Sequence, residues 1–250
     1  MTKLYHKRPL LFSLLLILLY VVGASVTDAL SLSLGVVSCI TLPFLLLFSV
    51  ALLVFLHKNR LLGEYGFTYP RPPYSRYLYF LPLLILASVN VWLGVRMSMP
   101  LPDTLCYVGS MLLVGFLEEL IFRGFLFRAI LPSGVRTAVV VSSLTFGIGH
   151  FVNLINGSGA QLFDNALQVM GAVAFGFLFV AICYRGGSLI PCILTHSLLN
   201  ALSAFSNEEA MQGMPNILLS GFLCIGALLY TLWLCRVLPL PTADTEGKES

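Results

Sequence analysis

The side chains able to do chemistry arrive in three short patterns, each set inside an apolar run. They are Glu118-Glu119-Leu-Ile-Phe-Arg123, Phe146-Gly-Ile-Gly-His150 and His196-Ser-Leu-Leu-Asn200. An ionisable group surrounded by hydrocarbon is costly, so each is a candidate for function before it is a candidate for structure. Glu119 and Arg123 stand four apart, on one helical face, where an ion pair can form. Glu118 lies about 100° further round such a helix and lacks that local partner. One carboxylate is thus expected to be structural and the other available for chemistry; the alternative is that both bind helices together through Arg123. In the second pattern Gly147 and Gly149 would let a neighbouring helix approach closely, and Phe146 would pack a turn below His150. The third places His196 and Asn200 on one face. There they could hold a substrate carbonyl or a developing oxyanion, or simply lock two helices together.

The elements that must position these groups are helices. Apolar runs cover roughly 10–26, 31–56, 77–95, 105–127, 137–155, 166–184, 188–205 and 217–235, each near the length that crosses a bilayer, roughly 20 residues. Backbone amides in lipid need partners within their own segment, so the expected fold is all-α, a polytopic membrane protein of about eight transmembrane helices. Composition agrees: 58% of the residues are hydrophobic and 10% charged, with a mean hydropathy of +0.93. Such a chain cannot cover a surface that faces water. One membrane domain over 1–250 is expected, with the bundle in 10–240, a catalytic core in 105–205 and a disordered cytoplasmic tail in 241–250. The basic start (Lys3, Lys7, Arg8) resembles a signal peptide, but no small-residue cleavage pattern follows, so a retained first helix is expected.

Placing the N-terminus in the cytoplasm puts every Lys and Arg except Arg96 and Arg123 on that side, twelve of the 14. Both termini are then cytoplasmic. A rise of 1.5 Å per residue sets Glu118 ~15 Å from Arg128, His196 ~16 Å from Arg185 and His150 ~21 Å from Arg136. The three patterns could therefore share one layer in the inner half of the bilayer, around a water-filled cavity. The cytoplasmic loop 57–76, with Tyr69-Pro70-Arg71-Pro72-Pro73-Tyr74, reads as a surface linker. The six cysteines form no Cys-x-x-Cys pair and read as small buried residues. No basic patch with interleaved aromatics is present, so nucleic acid is not an expected partner.

In order and spacing the three patterns resemble the CAAX-protease and bacteriocin-processing family (CPBP or Abi), whose type members are Rce1-like prenyl-protein proteases. Its Glu-Glu-x-x-x-Arg, Phe-x-x-x-His and His-x-x-x-Asn/Asp hallmarks read here as Glu118-Glu119…Arg123, Phe146…His150 and His196…Asn200, and the similarity spans about 105–205. The resemblance implies an eight-helix membrane fold that hydrolyses a peptide bond near the cytoplasmic membrane surface. By it, Glu118 and His150 would activate water and His196 with Asn200 would stabilise the oxyanion. Glu119 and Arg123 would be the supporting ion pair. The expected partners are membrane lipid and a peptide or lipidated-protein substrate. Members of the family are commonly labelled metalloproteases. Two histidines and a carboxylate, Glu118, His150 and His196, would suit a catalytic zinc, yet Glu118 with His150 could activate water without metal. The rival readings are a non-catalytic bacteriocin-immunity factor or scaffold of the same fold, and a small proton- or cation-coupled transporter. The lack of a mitochondrial-type leader and the short loops suggest a bacterial inner membrane.

Overall fold

The computed structural model describes residues 1–67, 78, 80–156 and 159–240. The proline- and tyrosine-rich stretch 69–74 and the tail 241–250 lie outside them. Among the described residues the protein is helical without a strand, and Val95 and Ser206 form an isolated bridge. The expected all-α polytopic fold is found.

Six helical stretches are long and apolar enough to cross a membrane. They are α2 (Pro9–Ser33), α3 (Thr41–Lys58), the run Leu101–Ser133, α7 with its 3-10 extension (Val135–Leu154), α8 (Leu162–Gly186) and α10 (Met214–Val237). An amphipathic turn, α1 (Thr2–Lys7), precedes them. The long run Leu101–Ser133 contains α5 (Leu101–Glu119), a π-helical segment (Leu120–Leu126) and α6 (Phe127–Ile130). The other two apolar runs are shorter than a full span. Run 77–95 holds α4 (Pro82–Ala87) and a 3-10 turn (Val89–Val91). Run 188–205 holds α9 (Ile190–Leu202) and a final 3-10 turn. Each buries one face against protein and leaves another exposed, with Leu84 and Ile85 on α4 and Leu194 on α9 at the bundle surface. The Asn90 amide donates to the Leu199 carbonyl, and the buried face of α9 carries Thr195, His196 and Ser197.

Charge sorts the bundle into two ends. At the basic end the Tyr65 hydroxyl donates to Tyr5, Arg128 lies 3.8 Å from Glu64, and Arg185 donates to the carbonyls of Cys235 and Leu238. Burial pushes the Tyr5 and Tyr65 hydroxyls above the ordinary tyrosine range, so the pair stays neutral and hydrogen-bonded. At the opposite, acidic end Thr41 donates to Asp28, the Val37 amide to Asp103 and Asn216 to Asp164, and Arg96 pairs with Glu209 at 2.6 Å. The leucines of α2 and α10 that remain exposed, Leu14, Leu18, Leu229 and Leu232 among them, form the lipid-facing surface. All six cysteines are free thiols.

The centre is held by helices that nearly touch. A Cβ on Gly115 of α5 would lie 2.5 Å from the Ser197 amide nitrogen of α9, and Ser197 donates to the Leu112 carbonyl at 2.8 Å. Gly147 of α7 lies against the α8 backbone at Val169 and Val173 as expected, whereas Gly149 has nothing within 4 Å and serves no close approach. The difference is testable. Gly115→Ala forces α5 from α9 and should cost about 1–3 kcal/mol, the range for overpacking. Gly149→Ala should stay within about 0.5 kcal/mol of the parent. Thermal melting of both variants in mild detergent checks the pair.

Candidate active site

Glu118 and Glu119 end α5, and the chain then winds as a π-helix for seven residues. Such bulges are rare and concentrate at functional sites. The ion pair expected at α-helical spacing still forms across it: Arg123 Nη1 lies 2.9 Å from Glu119 Oε1, and both side chains are completely buried. Glu119 Oε1 takes a second bond, 2.7 Å from His196 Nδ1 on α9. One carboxylate oxygen thus joins the first pattern to the third.

The guanidinium lies over aromatic rings, 4.0 Å from the centroid of Phe146 and 5.4 Å from that of Phe179. This cation–π contact offsets part of the cost of burying it, since Arg123 Nε and Nη2 and Glu119 Oε2 have no hydrogen-bond partner among the described residues. Phe146 does more than pack under His150. It meets the rings of both His150 and His196 edge-on, at 5.2 and 5.8 Å, so it touches all three patterns.

Glu118 is the more accessible carboxylate, with 12% of its side chain exposed. Its Oε2 lies 3.5 Å from His196 Nε2, and its Oε1 accepts from the Tyr20 hydroxyl of α2 at 2.7 Å. His196 therefore sits between the two adjacent carboxylates, Nδ1 on one and Nε2 facing the other. Tyr20 was not picked out by sequence reasoning. The signal was present: a phenol within an apolar span must find a partner for its hydroxyl.

His150 stands where α7 gives way to a 3-10 turn. Its Nδ1 lies 3.1 Å from the Phe146 carbonyl; a carbonyl only accepts, so Nδ1 carries the hydrogen and Nε2 is left as the acceptor. Asn165 of α8 donates to the His150 carbonyl at 3.0 Å and is itself buried. This in-span amide was also missed, though its polarity marked it.

His150, His196 and Asn200 line one cavity of about 170 Å³, with Phe146, Gln168, Phe175, Phe179 and Leu223 among its walls. The Asn200 side-chain amide makes no hydrogen bond among the described residues and faces this space. Glu118 is not in its lining, and no hydrogen bond joins it to His150; its nearest link to the cavity is His196, 3.5 Å away. Nor do Glu118, His150 and His196 form the zinc site weighed from sequence. Among the described residues no three His, Cys, Asp or Glu side chains converge at metal-ligand spacing, and both nitrogens of His196 already face carboxylates.

The cavity is walled by the end of α7, the first part of α8, the later half of α9 and the start of α10. The lining runs from His150, Gln168 and Ser220 near the acidic end to Phe179 and His196, seven and six residues from the basic ends of α8 and α9.

Residues 100–202 match the family described as type II CAAX prenyl endopeptidase Rce1-like. This stretch is Rce1-like. It runs from the start of α5 to the end of α9 and so contains every residue of the three patterns. No curated protein and no solved structure matches the chain. That family is generally one of membrane peptidases; in this chain α1–α4 and α10 lie outside the matched stretch and pack around it.

The buried pair makes its own prediction. Arg123→Met leaves the Glu119 charge unpaired and should cost about 3–5 kcal/mol, as breaking a buried ion pair does. Adding Glu119→Gln removes the stranded charge and keeps an acceptor for His196 Nδ1. The double variant should recover most of the folded yield, measured as monodisperse protein extracted in mild detergent.

Proposed function

We propose that the chain is an intramembrane endopeptidase of CAAX-protease type, acting on a membrane-associated peptide or lipidated protein. The observation that carries this reading is His196, bonded to Glu119, facing Glu118, and opening with His150 and Asn200 onto one cavity. The sparse polar groups of the bundle thereby converge on a single space, as expected of a site rather than of scattered helix locks.

In this reading a water oxygen attacks the scissile carbonyl carbon while its proton passes to Glu118 or to His150 Nε2. The carbonyl π electrons move onto oxygen. Donation from the Asn200 amide, and from His196 Nε2 when the ring between the two carboxylates carries both protons, stabilises that oxyanion. Collapse re-forms the carbonyl and breaks the C–N bond, and the proton taken from water is delivered to the leaving amine. Glu119, held by Arg123, fixes the imidazole of His196, and Tyr20 fixes the carboxylate of Glu118. The apolar walls exclude bulk water, which strengthens each of these interactions.

Removing the general base should cost about 10²–10⁴-fold in turnover, and Asn200→Ala, an oxyanion donor, about 10²–10³-fold. Tyr20→Phe should lower turnover less than either while leaving the melting temperature in place. The direct test compares peptide termini by mass spectrometry in membranes of cells expressing the parent or Glu118→Ala at equal levels. New termini seen only with the parent establish the protease and reveal its substrate. Identical profiles overturn the reading and favour a binding role for the same fold.

A further inference from the structure

We infer that a second cavity, at the basic end of the bundle, binds a phosphoethanolamine headgroup, with its phosphate on Arg128 and Tyr5 and its ammonium on Glu64. The site shares no lining residue with the cavity of His150, His196 and Asn200, and its occupancy does not depend on proteolysis.

This second cavity measures about 220 Å³ and lies where α2 begins and the run Leu101–Ser133 ends. Pro9, the first residue of α2, and Pro132, near the end of that run, both line it. Tyr5 and His6 reach it from α1, and Glu64 and Tyr65 from the chain that follows α3. The ends of spans stand at headgroup depth, where tyrosines gather and where basic pockets between helices take lipid headgroups. Tyr5, His6, Glu64 and Tyr65 fall outside residues 100–202, so the family match does not account for the site.

The lining has bonding capacity left over. Tyr65 donates to the Tyr5 oxygen, so the hydrogen of Tyr5 needs a different acceptor, and among the described residues it has none. Burial keeps that hydroxyl protonated. Arg128 Cζ lies 5.1 Å from the centroid of the Tyr65 ring. Arg128 Nη1 is 3.8 Å from Glu64 Oε1, too far for a hydrogen bond. Among the described residues neither charged group has a hydrogen-bonded partner, yet both side chains are open to a ligand, at 34% and 49% exposure. Two opposite charges held apart beside one cavity suit a ligand that carries both. A phosphate would accept charge-assisted bonds from the guanidinium and from Tyr5. A primary ammonium, with three donors, would take Glu64. A quaternary ammonium has no hydrogen to donate, and Arg128 already covers the Tyr65 ring that could hold it by cation–π contact. A glycerol headgroup would leave the Glu64 charge facing the phosphate uncompensated.

The test is native mass spectrometry of the full chain in mild detergent. It is titrated with phosphatidylethanolamine, phosphatidylglycerol and phosphatidylcholine of identical acyl chains. Phosphatidylethanolamine should bind about tenfold more tightly than either of the others, the scale of one hydrogen bond to a charged group. Arg128→Ala should weaken that binding about tenfold, and Tyr5→Phe about threefold. Glu64→Gln should bring phosphatidylethanolamine down to the level of phosphatidylglycerol without weakening the latter. Should Arg128→Ala not accumulate, Glu64→Gln decides by itself. Equal binding of the three lipids by the parent, unchanged affinity in Arg128→Ala, or an unchanged preference in Glu64→Gln each overturns the inference. Soluble glycerophosphoethanolamine separates the two sources of the headgroup. Displacement of bound lipid at equal concentration assigns the site to the free compound, and lipid that stays bound assigns it to the membrane.

Discussion

One oxygen atom, Oε1 of Glu119, organises the interior. It receives Arg123 from the π-helical segment and His196 from α9, and both Glu119 and Arg123 are shut away from solvent. Removing two charges from water costs several kcal/mol per ion, and only close geometry with further hydrogen bonds offsets it. Everything around the pair reflects that demand. The rings of Phe146 and Phe179 take the face of the guanidinium, and α9 is drawn against α5 so closely that position 115 admits no side chain. A buried pair of this kind is weak evidence of stability. Its value here is that it fixes the imidazole of His196 in one orientation.

That fixed imidazole separates the duties of two adjacent carboxylates. Glu119 lies on the arginine side and is spent on structure. Glu118, one residue earlier, turns towards α2 and takes its hydrogen bond from Tyr20. The π-bulge that begins immediately after them widens the helix and lets Arg123 reach back while the following residues Leu120–Leu126 all stay buried. A π-helical departure of this sort inside an otherwise regular bundle belongs with function. The cost is met by aromatic packing at the basic end, where Phe125 sits among Tyr5, Phe12, Phe55 and Tyr65.

The segments outside the Rce1-like stretch contribute to the site as well as covering it. α2 supplies Tyr20, and α10 supplies Leu223 and Ser220 to the cavity wall. The match covers residues 100–202, the stretch that holds all three patterns. The enclosing helices complete the cavity walls, so the cavity is a property of the whole bundle rather than of the three patterns.

The all-helical fold, the sorting of basic residues to one end and the six polar side chains worth attention were all legible in the sequence. Each follows from local rules: apolar run length, the positive charge of loops, and the cost of a polar group in lipid. The Glu119–Arg123 pair was legible too, because partners four apart meet within one helix. Other features depend on which helices become neighbours, and that is decided by packing. These include the sharing of Glu119 between Arg123 and His196, the place of Phe146 among all three patterns, and Tyr20 as partner to Glu118 across 98 residues of sequence. The shortness of α9 and the break at His150 were hidden for a related reason. Apolar composition marks a segment as removed from water but does not say where its helix stops, which here is set by the chain's turn to the Val95–Ser206 bridge and by the Asn165 bond to the His150 carbonyl.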